Sequence, residues 1–387
     1  PRPSVIVSVG GPVFCFGNPG DQDDQHYDST KRLTHAFSHP TESSPRGVHR
    51  GPGLSFQRGW GNVGLGASSS IVLDGAWRRC FSSFHGYVAR ILVSEFSQEG
   101  HTMTLTSDWH IHSRNSCDQA CITVDDLVRR AAEEGIRDFG LTDHVHTPIN
   151  LPDLVSSREE YLGAVPESRF HFGVELSCVS QWELDRIAEG AYDGEAVYGI
   201  RQGGPAWAEP ALGVTREDLT ACGVEYVVAG THWPLYVPFE REAIIRDYHR
   251  QNMFLAQHPL VDIVAHPWWW MGHWKDSDGR YTGEPWFDDF GCIPQTMHAE
   301  FAAALVESDT RAEANISANL LSGSYPERFK RQYAEYLAGL KLAGVQLTLG
   351  SDCHDAGYAI DFTEAARRLS AVGISDDDFW RCPPRDM

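Results

Sequence analysis

From Met103 onward, short apolar or β-branched runs alternate with longer stretches in which apolar residues recur at helical spacing. The first run ends in T-S-D-W-H-I-H at 106–112. It is followed by a predicted helix over Ile122–Glu134, in which Val124, Leu127, Val128, Ala131 and Ala132 share a face, Thr123 stands at the N-cap and Gly135 marks the stop. Ile136–Leu141 is the second predicted strand, Phe170–Val174 the third and, after a longer excursion, Glu225–Ala229 the fourth. A helix over Phe239–Gln257 leads into a fifth strand at Val261–Ala265, and one over Gln295–Glu307 leads into a sixth at Ala312–Ile316. A helix over Pro326–Leu342, ended by Gly344, leads into the seventh strand at Val345–Leu349, and a last helix runs from about Thr363 to Val372. Strict alternation of this kind predicts a parallel sheet with crossover helices. Seven such strands suit a distorted (β/α)7 TIM-like barrel better than an open doubly wound sheet.

The polar residues that close these runs point the same way. Beyond H-I-H at 110–112, the chain places L-T-D-H at 141–144, F-G-V-E at 172–175, A-G-T-H at 229–232, V-A-H-P at 264–267 and L-G-S-D-C-H at 349–354. In a parallel barrel the C-terminal strand ends converge on one mouth, whereas an open sheet would string them along a line. His110 and His112 are two apart on a predicted strand, so both imidazoles face one side. One histidine at a strand end is ordinarily a hydrogen-bonded core residue. Six strand ends carrying His, Asp or Glu describe a metal site. Mixed imidazole and carboxylate donors suit zinc, manganese or iron and fit calcium poorly.

Residues 1–102 differ in character. They are rich in Gly, Ser and Pro, show little periodicity and carry a near-balanced charge, and the first Met of the chain is Met103. We expect 1–102 to be a poorly structured or upstream extension and 103–387 to be the folded domain. G-W-G-N-V-G at 59–64 has the spacing of a dinucleotide-binding loop but lacks the strand before it, the helix after it and the acidic residue further on, so it is assigned no role.

Composition narrows the partners. The formal net charge of −21 over 387 residues disfavours nucleic acid and anionic membrane, both of which are bound through clustered Lys and Arg. No apolar run approaches the roughly 18 to 20 residues of a membrane span. The nine cysteines are odd in number and irregularly spaced, which predicts reduced thiols and a cytoplasmic setting. Cys117 and Cys121 have no partner pair at zinc-finger spacing, and Cys353, between Asp352 and His354, is expected to pack rather than ligate.

With these residues assembled, the chain from Met103 onward resembles the polymerase and histidinol phosphatase (PHP) superfamily of metal-dependent phosphoesterases. The motif order H-x-H, T-D-H, G-x-E, T-H, A-H-P and G-S-D-x-H is that family's order. The resemblance implies a distorted seven-stranded barrel carrying two or three divalent ions. His110, His112, Glu175 and Asp352 would hold one ion. Glu175, His232 and His266 would hold another, with Glu175 bridging two ions, and Asp118, His144 and His354 a third. Asp108 and Asp143 would neighbour ligands without being ligands. Glu313-Ala314-Asn315 stands where the family has Glu-apolar-Asn, which gives Asn315 a supporting or substrate-binding role. His146 and His273 fall within reach of the pocket, whereas His171, His249, His258 and His298 are expected to be structural or solvated.

The reaction this implies is hydrolysis of a small phosphate ester by a metal-bridging hydroxide, with the catalytic work falling to Glu175, Asp352 and His354. Arg114, Lys275 and Arg280 are the expected phosphate anchors. Trp269 and Trp270, in the Trp-rich stretch 267–290, either wall the substrate pocket or belong to a flap packed on the rim. Two alternatives keep the same barrel: hydrolysis of a C–N bond on the same ligands, and a non-catalytic, metal-stabilised binding module. Nuclease action would need a basic track, which the composition does not supply.

Overall fold

The structure is a computed structural model. It describes residues 103–384 except 119, 165–166, 193–195, 270–272, 276–280 and 286–287, and at 273–275 and 281–285 it describes the backbone only. The expectations for 1–102, including the loop at 59–64, lie outside the described residues.

Seven parallel strands form the centre: β1 (Ser107–Asp108), β2 (Asp138–Leu141), β3 (Phe170–Ser177), β4 (Tyr226–Gly230), β5 (Ile263–Ala265), β6 (Arg311–Asn315) and β7 (Leu347–Gly350). They pair in chain order. The ring closes between the first and last: Trp109 N donates to Leu349 O at 2.8 Å, Asp352 N to His110 O at 2.7 Å and His112 N to Cys353 O at 3.1 Å. The strands are buried almost throughout, which is why their sequences read as short continuous apolar runs. A further two-residue strand, His144–Val145, continues the course of β2 past Thr142 and Asp143 and pairs with Glu175–Leu176 of β3, setting His144 directly beside Glu175.

Trp109, Tyr226, Val228, Ile263 and Ala265 form a cluster separate from the main core. The Tyr226 hydroxyl donates to Trp109 O at 3.0 Å. Gly140 and Gly173 make room for the Tyr226 ring, since a Cβ at either position would overlap it. Trp380, near the C-terminus, packs on Trp109 with ring centroids 5.3 Å apart.

The helices surround this ring. α1 (Val124–Glu134) begins where Thr123 Oγ1 accepts from Asp126 N and ends at Gly135, whose φ of 79° suits a residue without a Cβ. Three helices in the long excursions were not expected: α2 (Leu151–Gly163), α3 (Gln181–Ala188) and α4 (Arg216–Ala221). The expected crossover helices follow as α5 (Arg241–Gln257), α6 (Gln295–Ser308), α7 (Glu327–Leu342) and α8 (Phe362–Ser370). Val179–Ser180 pairs antiparallel with Pro210–Ala211, and His273–Lys275 with Tyr281–Pro285. Ile316, expected in the sixth strand, instead opens a π-helical turn over Ile316–Leu320, because Asn315 Oδ1 takes up Ala318 N at 2.7 Å and turns the backbone. Among the described residues no helix is long and apolar enough to cross a membrane.

Candidate metal centre

Two buried carboxylates set the backbone around the first histidine pair. Asp108 accepts from Ser351 N at 2.7 Å, His110 N at 3.3 Å and the Tyr358 hydroxyl at 2.6 Å, which ties the end of β1 to the end of β7. Burial pushes its carboxyl up to about 6 against these hydrogen bonds. Asp143 accepts from Ser113 Oγ at 2.6 Å, and from Ser113 N and Ser157 Oγ as well, fixing the turn between β2 and His144.

Glu175, near the end of β3, is fully buried, and imidazoles face both of its oxygens. Oε2 lies 3.0 Å from His110 Nε2, 2.9 Å from His144 Nδ1 and 3.4 Å from His112 Nε2. Oε1 lies 3.1 Å from His232 Nε2 and 3.0 Å from His266 Nε2. Asp352 Oδ1 is 3.3 Å from His112 Nε2, 3.7 Å from His110 Nε2 and 3.6 Å from His354 Nδ1. Asp118 Oδ2 is 3.2 Å from His144 Nε2 and also contacts His354 Nε2. All nine residues expected to ligate metal therefore come together. Asp352 and His266 adopt positive φ, 54° and 26°, conformations that L side chains rarely take.

The donors fall into three sets: His110, His112 and Asp352; His144, Glu175 and His232; and His112, Asp118, His144 and His354. Within each set one donor atom per residue lies within 4.8 Å of the others. This differs from the partition implied by the resemblance, since His112 and His144 each reach into two sets, while His266 meets the cluster through Glu175.

The donors fit a divalent metal. His110 Nε2, His112 Nε2, His144 Nδ1, His232 Nε2 and Glu175 Oε2 are buried and lie close to one another, yet they lack the alignment of hydrogen bonds. Leaving such atoms unsatisfied costs about 1–3 kcal/mol each, a cost that coordination removes. The charges agree. Burial alone would raise Glu175 and Asp352, but the surrounding imidazoles hold both carboxyls well below their usual range. Burial opposes protonation of His110 and His144, but the carboxylates around them raise both well above the ordinary imidazole value. The cluster attracts positive charge, which protons or metal ions can supply.

Behind the donors, His110 Nδ1 meets Glu313 Oε1 at 2.7 Å, while Glu313 Oε2 accepts from His266 N at 2.5 Å and from Asn315 Nδ2 at 3.0 Å. Asn315 Nδ2 also lies 3.2 Å from Asp352 Oδ2. Asn315 thus sits against a donor rather than at the mouth.

At the rim, the Trp269 ring lies 4.9 Å from His266 and 6.2 Å from His232. Trp268 is fully buried instead, stacked on His249 and edge-on to His298. Trp270 and Arg280 lie outside the described residues, and of Lys275 and His273 only the backbone is described. Arg114 is half exposed and paired at 3.0 Å with Glu160 of α2, so its guanidinium is committed to a helix of the outer layer. Sequence reasoning assigned no role to Arg201 and Trp233, which lie beside His146 and the donor cluster. No motif announces either one. His146 stacks on His144 at 4.6 Å, and burial pushes it well below the ordinary imidazole value. Cys353 is buried in the main core, and among the described residues no cysteine joins a donor set.

A sequence model of the PHP domain matches residues 108–254. A protein from Enterobacter sp. (strain 638), named as a probable phosphatase, is 25% identical over 286 residues, covering 72% of this chain and 91% of its own length. Among solved structures, a candidate histidinol phosphatase from Listeria monocytogenes aligns with a TM-score of 0.44 at 11% identity, covering 66% of this chain and 97% of that one. Residues 108–254 thus match the PHP domain, and the strand-end motifs from His110 to His354 follow that superfamily's order.

Proposed function

We propose that the chain is a metal-dependent hydrolase of small phosphate esters. The observation that carries this reading is Glu175: a fully buried carboxylate whose two oxygens face different imidazoles, Oε2 toward His110 and His144 and Oε1 toward His232 and His266. That arrangement suits a residue shared between ions. His110, His112, Glu175 and Asp352 would hold one ion, His232 and His266 would join Glu175 on a second, and Asp118, His144 and His354 would hold a third. When bound, divalent ions supply Lewis acidity toward a phosphoryl oxygen and lower the pKa of water from 15.7 toward about 7.

The chain's own groups do the remaining work. Asp108 and Asp143 hold the strand ends in register, Glu313 and Asn315 orient donors, and Trp269 shields one side of the mouth from water. A relative aligned over 91% of its own length is named as a probable phosphatase, which favours phosphorus over carbon as the centre attacked. The test is a panel of phosphomonoesters, phosphodiesters and amides assayed after reconstitution with zinc, manganese or iron(II). Turnover of a phosphate ester is the expected result. Turnover of amides alone would replace this reading with C–N bond hydrolysis on the same donors.

A further inference from the structure

Trp109 and His110 are consecutive, yet both face the inside of the barrel. On β4 and β5, Val227, Ala229 and Val264 belong to the main core shared with the helices, whereas Tyr226, Val228, Ile263 and Ala265 form the separate inward cluster that contains Trp109. His110 turns inward as well, toward Glu175. Successive residues of a strand ordinarily point to opposite faces, so the chain leaves regular strand geometry at the point where it presents the first donor. β1 itself ends at Asp108. The strand ladder therefore does not set the direction of His110, and whatever seats Trp109 helps to set it.

The Trp109 ring is seated by packing alone. Its Nε1 is buried without a hydrogen-bond partner among the described residues. Tyr226 meets the ring edge-on with centroids 5.6 Å apart, His171 lies at 5.6 Å and Trp380 at 5.3 Å. Tyr226 and His171 belong to strands, but Trp380 comes from the tail that follows the last helix. Phe379 bridges Leu347 in parallel, and Trp380 N donates to Leu347 O at 2.7 Å, which brings the tail to the N-terminal end of the barrel, opposite the donors. The Arg311 guanidinium lies over the Trp380 ring at 4.5 Å, and Arg381 donates to Thr106 Oγ1 at 3.0 Å and pairs with Asp138 at 3.6 Å. The tail thus touches the starts of β6, β7 and β2 and the residue before β1, and it sets Trp380 beneath Trp109.

We propose that Trp380 is a positioning residue of the metal centre: it seats Trp109 from the N-terminal end of the barrel and through it fixes the direction in which His110 presents Nε2. The inference rests on the reading of the strand-end donors as a metal centre. Loss of the Trp380 ring frees Trp109 on one side, and a donor that can swing loses part of the preorganisation on which affinity depends.

The test is cobalt(II) binding to the metal-depleted full chain, with affinity read by chelator competition and coordination geometry by the visible absorption of the bound ion. Trp380→Ala should weaken the affinity by at least about tenfold, the scale on which groups outside the donor set act, and should alter the absorption band. Trp380→Phe, which keeps a ring under Trp109, should restore most of both. Leu219→Ala, a truncation in the main core on α4, controls for lost stability and should lower Tm with the wild-type band intact. Trp380→Leu, which retains an apolar side chain, decides the matter if Trp380→Ala does not fold. A wild-type affinity and band in the variant that lacks the ring would overturn the inference, as would an equal change of band in Leu219→Ala. Failure of the wild-type chain to bind cobalt would instead remove the metal centre itself, and the inference with it.

Discussion

Glu313 Oε1 lies 2.7 Å from His110 Nδ1, and this contact decides which nitrogen of His110 faces Glu175. With Nδ1 bonded to the carboxylate, Nε2 is turned inward, 3.0 Å from Glu175 Oε2. Carboxylate partners of this kind fix the tautomer of a ligating histidine and raise its basicity. Glu313→Ala should therefore lower metal affinity about 10- to 100-fold, measured by chelator competition, although Glu313 belongs to none of the donor sets. Unchanged affinity would reduce Glu313 to a strand-end brace.

The Trp269 ring is half-buried beside His266 and His232 and can wall the pocket without ligating. Trp269→Ala should raise KM or change substrate preference and leave metal content unchanged. Unaltered kinetics with a lower Tm would assign Trp269 to the rim packing instead.

The barrel was legible because each strand is a short buried run and the crossover helices carry apolar stripes. The helices of the excursions were not, for reasons visible in their buried faces. α2 buries Leu154, Ser157 and Tyr161, so a serine interrupts the stripe, and Ser157 is inside because it bonds Asp143. α3 buries only Glu183, whose carboxylate takes up the amides of Ser180 and Ile200, so there is no apolar stripe to read. The donors announced themselves by ending strands. The groups behind and beside them were silent, because Ser177, Trp233 and Arg201 reach the cluster through tertiary packing and follow no spacing rule. Arg114 was suggested by its closeness to His112 in sequence, and the chain turns it outward toward Glu160.

His298, on α6, offers a test of the fold that does not involve the metal centre. Burial, reinforced by the charge of His249, pushes its imidazole down to about 3. The unfolded chain therefore binds one more proton than the folded chain between about pH 6.5 and 3, and stability is lost as pH falls through that window. The slope is up to about 1.4 kcal/mol per pH unit for one such group. His298→Phe, placed against Phe290 and Tyr336, removes the group and should flatten the fall of Tm between pH 6.5 and 4. Parallel Tm profiles for the two proteins would contradict the burial assigned to His298.

The start of the barrel is anchored within the described residues: Thr106 N and Oγ1 meet the Asp376 carboxylate at 3.0 and 2.7 Å, and Arg381 joins the same carboxylate. We propose that residues 103–387 fold without the preceding segment. A chain beginning at Met103 should be soluble, melt cooperatively and retain its metal. Insolubility or metal loss would assign part of 1–102 to the domain.

The shared-ligand centre depends on Glu175. Glu175→Gln keeps the side chain's size but removes the charge that faces five imidazoles from its two oxygens. The variant should fold, as judged by circular dichroism, yet bind fewer metal equivalents than the wild-type chain. It should also lose at least about two orders of magnitude in phosphate ester hydrolysis, the scale at which loss of one preorganised electrostatic group is felt. Metal equivalents per chain, counted after reconstitution and dialysis and set beside turnover, are the deciding measurement. A full metal complement with near wild-type turnover in Glu175→Gln would contradict the shared-ligand centre.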